Sequence, residues 1–321
     1  MRRAAIISVG SYVPGKVMTN FDLEKMVETS DEWITERTGI KERRISAEGE
    51  ATSDLAFEAA ARALKSANFD PKELDLVLVC TSSPDMLFPS TACIIQDRIG
   101  ATNAAAFDLS AACSGFNFGL AAAASFIESD IYNNVMVIGA DTLTKYLDWT
   151  DRNTCILFGD GAGAVILKAA NDGSGILASH LGAEGSGGKY LTMPGGGSRD
   201  PEAKKRFISM DGKEVFKFAV RVLLSSVRAV LEKANLSPKD ISLLIPHQAN
   251  MRIIDFAMKH LGLPKEKVYV NLERYGNTSA ASIPIALDEA LAEKRIKAGD
   301  IVVLAGFGAG LTYGANIIRW R

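Results

Sequence analysis

The sequence predicts an α/β protein built from two copies of one unit, each a mostly parallel sheet with helices packed on it. Three observations point to this. Strand-like and helix-like stretches alternate along the chain. One pattern recurs at a constant offset, which carries Ala67-Asn68 onto Ala234-Asn235, Pro71-Lys72 onto Pro238-Lys239 and Val135–Gly139 onto Val302–Gly306. The stretch Ala111–Ile127 is apolar almost all round, as in a helix buried on every side. The expected units are residues 1–170 and 171–321, with a buried helix from each packed between two sheets.

The elements follow in chain order. Ala4–Val9 reads as a strand. Thr29-x-x-Glu32 has the capping-box pattern of a helix start just before Trp33. Arg62–Val77 reads as a helix end, a proline turn and an apolar strand, and Ala229–Leu244 repeats it. A strand ends at Phe107–Leu109, and Cys113 then stands at the start of a helix. Gly115 and Gly119, one turn apart in that helix, leave room for another element to approach. The glycine-rich segment Gly182–Arg199 lies between the halves and reads as a linker, because GxGxxG spacing is missing. Ile241–Ile245 is a strand that leads to His247 and a helix with Met251, Ile254 and Met258 on one side. Asn277, in Tyr275–Ser282, marks a second strand-to-helix corner, and the offset places Cys113 on Ala280 there.

Composition narrows the class. With 47% apolar and 23% charged residues, the chain has the make-up of a globular protein. A net charge of −2 argues against a nucleic-acid binder and leaves any charged partner to a local patch. Cys80, Cys93, Cys113 and Cys155 form no C-x-x-C pair and have no histidine at zinc spacing, so no metal site is expected. No apolar run spans a bilayer, and the opening strand is too short for a signal segment. A cytoplasmic protein that uses neither membrane nor nucleic acid is expected.

Ligands of such sheets gather at the carboxyl ends of strands, where Cys113, His247 and Asn277 all lie. The first turn of a helix favours a thiolate, so Cys113 is expected to carry a lowered pKa and act as nucleophile. His247 follows a strand where the other half carries Cys80, whereas His180 and His260 read as structural. Gly306–Gly314 can turn backbone N–H groups toward a ligand and, with the nucleophile's own N–H, form an oxyanion hole.

In the settings AACSGFNFGL, PHQANMRI and YGNTSAASIP, these residues resemble the Cys-His-Asn triad of the β-ketoacyl-acyl carrier protein synthase III family. TSDEWITERTGIKERR (Thr29–Arg44) and FGDGAGAV (Phe158–Val165) are also similar to that family's signatures. The resemblance covers essentially the whole chain. It implies the thiolase fold, a duplicated α-β-α-β-α five-layer sandwich, and a homodimer. It implies a decarboxylating Claisen condensation of an acyl-CoA primer with malonyl-acyl carrier protein through an acyl-cysteine, starting a fatty acid chain. CoA enters as substrate and no cofactor is implied.

Carried over residue by residue, the resemblance gives Cys113, His247 and Asn277 the catalytic roles and the N–H groups of Cys113 and Ala309 the oxyanion hole. Trp33 and Arg152 would flank the CoA adenine, Arg37 would lie near its phosphates, and Asn250 would bond the pantetheine arm. Phe88, reaching across the dimer, and Phe307 would wall the acyl pocket. Arg252 and Lys259, seven apart on one helix face, would meet the acidic carrier protein together with Lys217. Two alternatives remain at this point: a thiolase-fold synthase of another pathway, or a non-catalytic acyl-binding relative. A thiolase would carry a second cysteine within Gly306–Gly314, and an elongating ketosynthase would carry histidine at Asn277; this sequence has neither.

Overall fold

The computed structural model describes residues 2–202 and 206–321. Its first half holds β1 (Arg3–Tyr12), β2 (Lys16–Thr19), α1 (Asn20–Glu24), α2 (Asp31–Thr38), β3 (Glu42–Ile45), α3 (Thr52–Ala67), β4 (Leu76–Cys80), α4 (Thr91–Arg98), β5 (Ala105–Leu109), α5 (Gly115–Glu128), β6 (Asn134–Asp141) and β7 (Gly161–Ala170). Its second half holds β8 (Gly175–Ala183), β9 (Leu191–Thr192), β10 (Ser209–Met210), α6 (Gly212–Lys233), β11 (Leu243–Pro246), α7 (Met251–Leu261), α8 (Leu272–Tyr275), α9 (Ser282–Ala292), β12 (Ile301–Gly308) and β13 (Thr312–Arg319).

Two sheets follow from the repeat. One runs β1-β7-β6-β4-β5 and the other β11-β12-β13-β8. β4 pairs in parallel with β5 and β6, and β11 pairs in parallel with β12. These strands are apolar without alternation because both of their faces are covered. α3 covers the outside of the first sheet and α6 the outside of the second, while α5 and α9 fill the space between them. The result is the five-layer α-β-α-β-α sandwich. Phe116, Leu120 and Ile127 of α5 are fully buried, each worth about 1.5–3 kcal/mol by its apolar area.

The duplication extends to backbone detail. Asn68 and Asn235, at corresponding helix ends, have φ of 47° and 54°. Ala112 and Ser279, also at corresponding positions, have φ of 48° and 52°. The copies differ in the segment before α3 and α6, and also beside β4 and β11. Where the first half has β5, the second has one bridge between Leu244 and Val268, followed by α8. Asn277 therefore follows a short helix rather than the expected strand.

Two further expectations need correction. The helix before Trp33 is capped by Ser30, which accepts the Trp33 N–H at 3.1 Å, and not by Thr29. The segment 182–199 is more than a linker. It completes β8, forms a 3-10 turn over Gly185–Tyr190 that packs on the Ala309–Leu311 turn, and continues as β9. Its side chains at Leu191, Thr192 and Met193 reach the site described below.

The halves lock together through two glycines related by the repeat. A Cβ on Gly139, in β6, would overlap the Ala280 carbonyl of the second half. A Cβ on Gly306, in β12, would lie 2.6 Å from Asn117 Oδ1 of the first half. Gly139→Ala is thus expected to destabilise the chain by about 1–3 kcal/mol through overpacking. Thermal unfolding checks this, and an unchanged midpoint would refute the close approach.

Candidate active site

Cys113 sits in the 3-10 turn Ala112–Ser114 that leads into α5. It is only 6% exposed, and burial pushes its thiol up to about 12. This overturns the expected lowering. The nucleophile lies one turn before the α-helix proper, closed over by its neighbours, and desolvation of a thiolate outweighs the helix end. The Gly308 backbone packs directly on the Cys113 N–H, so glycine is required there for the two backbones to approach. Cys113 and Ala309 line one cavity wall together, where the sequence expected the oxyanion hole.

His247 follows β11, is buried, and makes an edge-on contact with Phe307 at 5.2 Å between ring centroids. Its Nδ1 lies 2.7 Å from Ser282 Oγ at the start of α9. The Gln248 N–H also donates to that Oγ, at 3.5 Å, which leaves the serine hydrogen free to turn to Nδ1. Burial pushes the His247 pKa down to about 3, so the ring is neutral at physiological pH.

Asn277 is pinned on three sides. Its N–H donates to Leu157 O at 2.8 Å, and its carbonyl accepts from the Gly159 N–H at 3.0 Å. Its Oδ1 accepts the Ser279 N–H at 2.9 Å, so the amide NH2 is the end left for a ligand. The Gly159 contact explains part of the FGDGAGAV run. Asp160 in the same run accepts the Ser46 and Thr144 N–H groups at 2.8 and 2.9 Å, tying this segment to β3 and to the turn after β6.

Cys113, His247 and Asn277, from three distant stretches, line a single cavity of about 90 Å³. Its mouth is formed by Asn250 with Phe216 and Gly212 of α6. Phe307, expected in the acyl pocket, lines this cavity beside His247. A second, apolar cavity of about 60 Å³ opens on the other side of Cys113, between Leu143, Phe158, Leu191, Met193 and Ile208.

The other expected residues fall as follows. Trp33 is half-buried, with Arg37 at 4.9 Å and Arg152 at 5.3 Å from its ring centroid. Trp33 and Arg152 therefore touch each other, and a base between them must part them. Arg152 also donates to the Glu28 carbonyl at 2.9 Å. Asn250 caps α7 by accepting the Arg252 N–H at 2.9 Å, and it donates to the Arg37 carbonyl at 2.9 Å. It thus joins the Trp33 region to the cavity mouth, with one amide hydrogen to spare. Arg252 stacks on Phe216 at 5.4 Å, placing a cation at that mouth. Lys259 lies exposed on the same helix. Lys217 is paired with Glu214 at 2.6 Å, which weakens its expected role in a free basic patch. Phe88 does not reach the site within one chain: it is 84% exposed, next to Leu87 at 78%. Sequence reading missed Ser279, which bonds Cys113, and Ser282, which bonds His247; both stand inside the motif around Asn277. Among the described residues, no cluster of three His, Cys, Asp or Glu side chains could hold a metal ion, and no helix is long and apolar enough to cross a membrane.

Comparison with known proteins follows this geometry. Residues 107–185 match the family model described as 3-oxoacyl-[acyl-carrier-protein] synthase III, and residues 231–320 match that of its C-terminal part. The chain is 59% identical to the β-ketoacyl-[acyl-carrier-protein] synthase III of Caldanaerobacter subterraneus subsp. tengcongensis, over 99% of this chain and 98% of that protein. Among solved structures, the 3-oxoacyl-[acyl-carrier-protein] synthase III of Aquifex aeolicus matches with a TM-score of 0.94 and 51% identity, covering 99% of this chain and 100% of that one. A synthase III from Thermus thermophilus matches with a TM-score of 0.95 and 48% identity, over 99% of both chains.

The protonation state of His247 gives a test. An unfolded histidine takes a proton near pH 6.5, whereas folded His247 resists until about pH 3. Stability from this group is therefore full above about pH 6.5 and declines as pH falls toward 3, because the unfolded state binds the extra proton. Imidazole 15N NMR is expected to show His247 neutral from pH 8 down to 5. A midpoint above pH 5.5 would contradict the buried, neutral ring.

Proposed function

The chain belongs to the β-ketoacyl-[acyl-carrier-protein] synthase III family, the initiating condensing enzymes of fatty acid synthesis, and we propose that Cys113, His247 and Asn277 carry its reaction. The observation behind this reading is that the three line one cavity beside an apolar one. The reaction joins an acyl-CoA primer to malonyl-acyl carrier protein, with loss of CO2, through an acyl-enzyme. A related synthase of another pathway and a non-catalytic acyl-binding relative are not favoured, given relatives 48–59% identical along the whole chain.

In the first half-reaction Cys113 Sγ attacks the thioester carbonyl, and CoA leaves. Sulfur suits both roles, as a soft nucleophile and later a leaving group. The N–H groups of Cys113 and Ala309 receive the tetrahedral oxyanion, and the apolar cavity takes the acyl chain. In the second half-reaction, loss of CO2 from the malonyl group leaves negative charge on its thioester oxygen. Nε2–H of neutral His247 and the Asn277 NH2 donate to that enolate, whose carbon then attacks the acyl-cysteine. A dry site makes such donors effective because they need no reorganisation. A charged imidazolium would hold the malonyl carboxylate instead, so the low pKa of His247 serves decarboxylation.

Trp33, Arg37 and Arg152 hold the nucleotide end of CoA. Arg152 swings off Trp33 to admit the adenine, since an indole and a guanidinium can stack on both faces of a base. Asn250 uses its remaining amide hydrogen on the pantetheine arm. Arg252 at the cavity mouth, supported by Lys259, receives the acidic carrier protein. β5 is an edge strand, and Phe88 and Leu87 are exposed nearby in sequence, which supports a homodimer in which Phe88 walls the partner's acyl pocket. The enzyme works in the cytoplasm and without a cofactor, CoA being a substrate.

Radiolabelled acyl-CoA primers of several lengths are expected to label Cys113 covalently. Failure of every primer to label the folded protein would favour the binding relative. His247→Ala and Asn277→Ala are expected to keep this labelling but to lower malonyl decarboxylation about 100- to 1,000-fold each, the usual cost of one such donor. Normal decarboxylation in both variants would overturn the role assignment. For the carrier surface, Arg252→Glu is expected to raise KM for malonyl-carrier protein while sparing acyl-CoA transfer. Equal loss in both half-reactions would remove Arg252 from the docking site.

A further inference from the structure

The repeat supplies an internal control for the turn beside Cys113. Ala112 and Ser279 correspond, both open 3-10 turns, and hold φ of 48° and 52°. Alanine thus makes this left-handed corner in the first half without a hydroxyl, so the hydroxyl of Ser279 is not what shapes it. The backbone of the second corner is tied down by other bonds. The Ser279 N–H donates to Asn277 Oδ1 at 2.9 Å, and the Ala280 N–H donates to Asp141 Oδ2 at 3.3 Å. The hydroxyl itself donates to Cys113 Sγ, at 3.4 Å.

A thiol sulfur is a weak acceptor. A hydroxyl only 1% exposed and aimed at one is poorly satisfied at rest. The same bond becomes charge-assisted once the sulfur carries negative charge, and such bonds are about twice as strong as neutral ones. The contact therefore strengthens as the sulfur ionises, attacks or departs, and an interaction that strengthens along the reaction lowers its barrier. Ser279 lines the apolar cavity, while His247 and Asn277 line the other, so the sulfur meets this donor on its acyl side. Burial pushes the Cys113 thiol up, and the Ser279 hydrogen bond pulls it the other way. The titratable groups around the sulfur are His247 across the cavity, Asp141 behind the turn, and Cys80 packed against Gly115 and Gly119 of α5. Burial keeps His247 neutral and Cys80 protonated, so none of the three brings positive charge to the sulfur.

We propose that Ser279 is a catalytic residue whose hydroxyl donates to the Cys113 sulfur as it attacks the primer and again as it is displaced, a role that deepens the reading of Cys113 as the acylated nucleophile and rests on it. In the first step Sγ bonds to the thioester carbon and gives up its proton. The carbon–sulfur bond to CoA breaks, its electron pair leaves on the CoA sulfur, and CoA gains one proton for the one Sγ lost. In the second step the enolate carbon bonds to the acyl carbon, the bond to Sγ breaks, and its electron pair returns to Sγ. The thiolate so formed then takes a proton from solvent. Ser279 keeps its own proton throughout and acts only as a donor.

The test compares the full-length wild type with Ser279→Ala, which puts at this corner the residue that its counterpart in the first half already carries. Ser279→Gly, which also accepts the positive φ, takes its place if the alanine variant does not fold. Two rates are followed at neutral and mildly alkaline pH: alkylation of Cys113 by iodoacetamide and single-turnover acylation by radiolabelled acyl-CoA. Alkylation is read by mass spectrometry on the Cys113 peptide, because Cys93 is exposed as well. Losing a donor to a charged sulfur is expected to cut the thiolate population about 10- to 100-fold. A more basic thiolate is also more nucleophilic, which restores about half of that on a logarithmic scale, so both rates are expected to fall about 3- to 10-fold. A merely structural role predicts the opposite sign, since a missing oxygen beside Sγ leaves room and admits the reagent. Either rate, where the wild type shows one, standing at or above wild type in the variant overturns the donor. A wild type that no acyl-CoA labels, but whose alkylation still slows in Ser279→Ala, supports the donor and sinks the acyl-transfer reading instead.

Discussion

The structure depends on the contact of two turns across the pseudo-repeat. Burying α5 and α9 between two sheets forces the corner before each helix against the opposite half. Gly139 receives the corner at Ala280, and Gly306 receives the helix carrying Asn117. The close packing that buries apolar surface therefore also brings Cys113 within reach of Ser279. Core and site are one construction: a side chain at either glycine would push the halves apart and pull the reacting groups from one another.

The site is electrically quiet at rest. Cys113 is held as a thiol and His247 as a neutral imidazole, both by burial. The donors proposed for a forming enolate are a neutral ring and an amide. Little solvent has to reorganise when negative charge appears, and what charge appears is met by dipoles already in place. The same burial opposes loss of the Cys113 proton.

Much of this was legible in the sequence. Strand and helix alternation, the constant offset and the all-round apolar stretch require only local patterns, and all three led to the observed layers. Cys113 and His247 were legible because each follows a strand of its sheet, and Asn277 because it opens the corner that the repeat places opposite Cys113. Contacts made across the interface were not. Ser279 finds Cys113, and the Ala280 N–H finds Asp141, only when the halves are packed. The direction of the Cys113 shift was misread because a sequence shows the helix start but not the Gly308 backbone laid over it. The glycine-rich segment looked like a linker since its few apolar residues, Leu191 and Met193, have no periodicity until they fold over the cavity. Phe88 is exposed in the single chain, and a role in a dimer is not legible from one copy.

In the proposed CoA site, the contact of Trp33 with Arg37 and Arg152 alters the energetics of nucleotide capture. An arriving adenine does not meet bare aromatic surface; it exchanges an existing cation–π pair for a stacked triple. The net gain from that end is then a difference between two favourable arrangements, smaller than the final geometry suggests. Departure benefits in the same measure, as the guanidinium can close behind the spent carrier and shorten the life of a product complex.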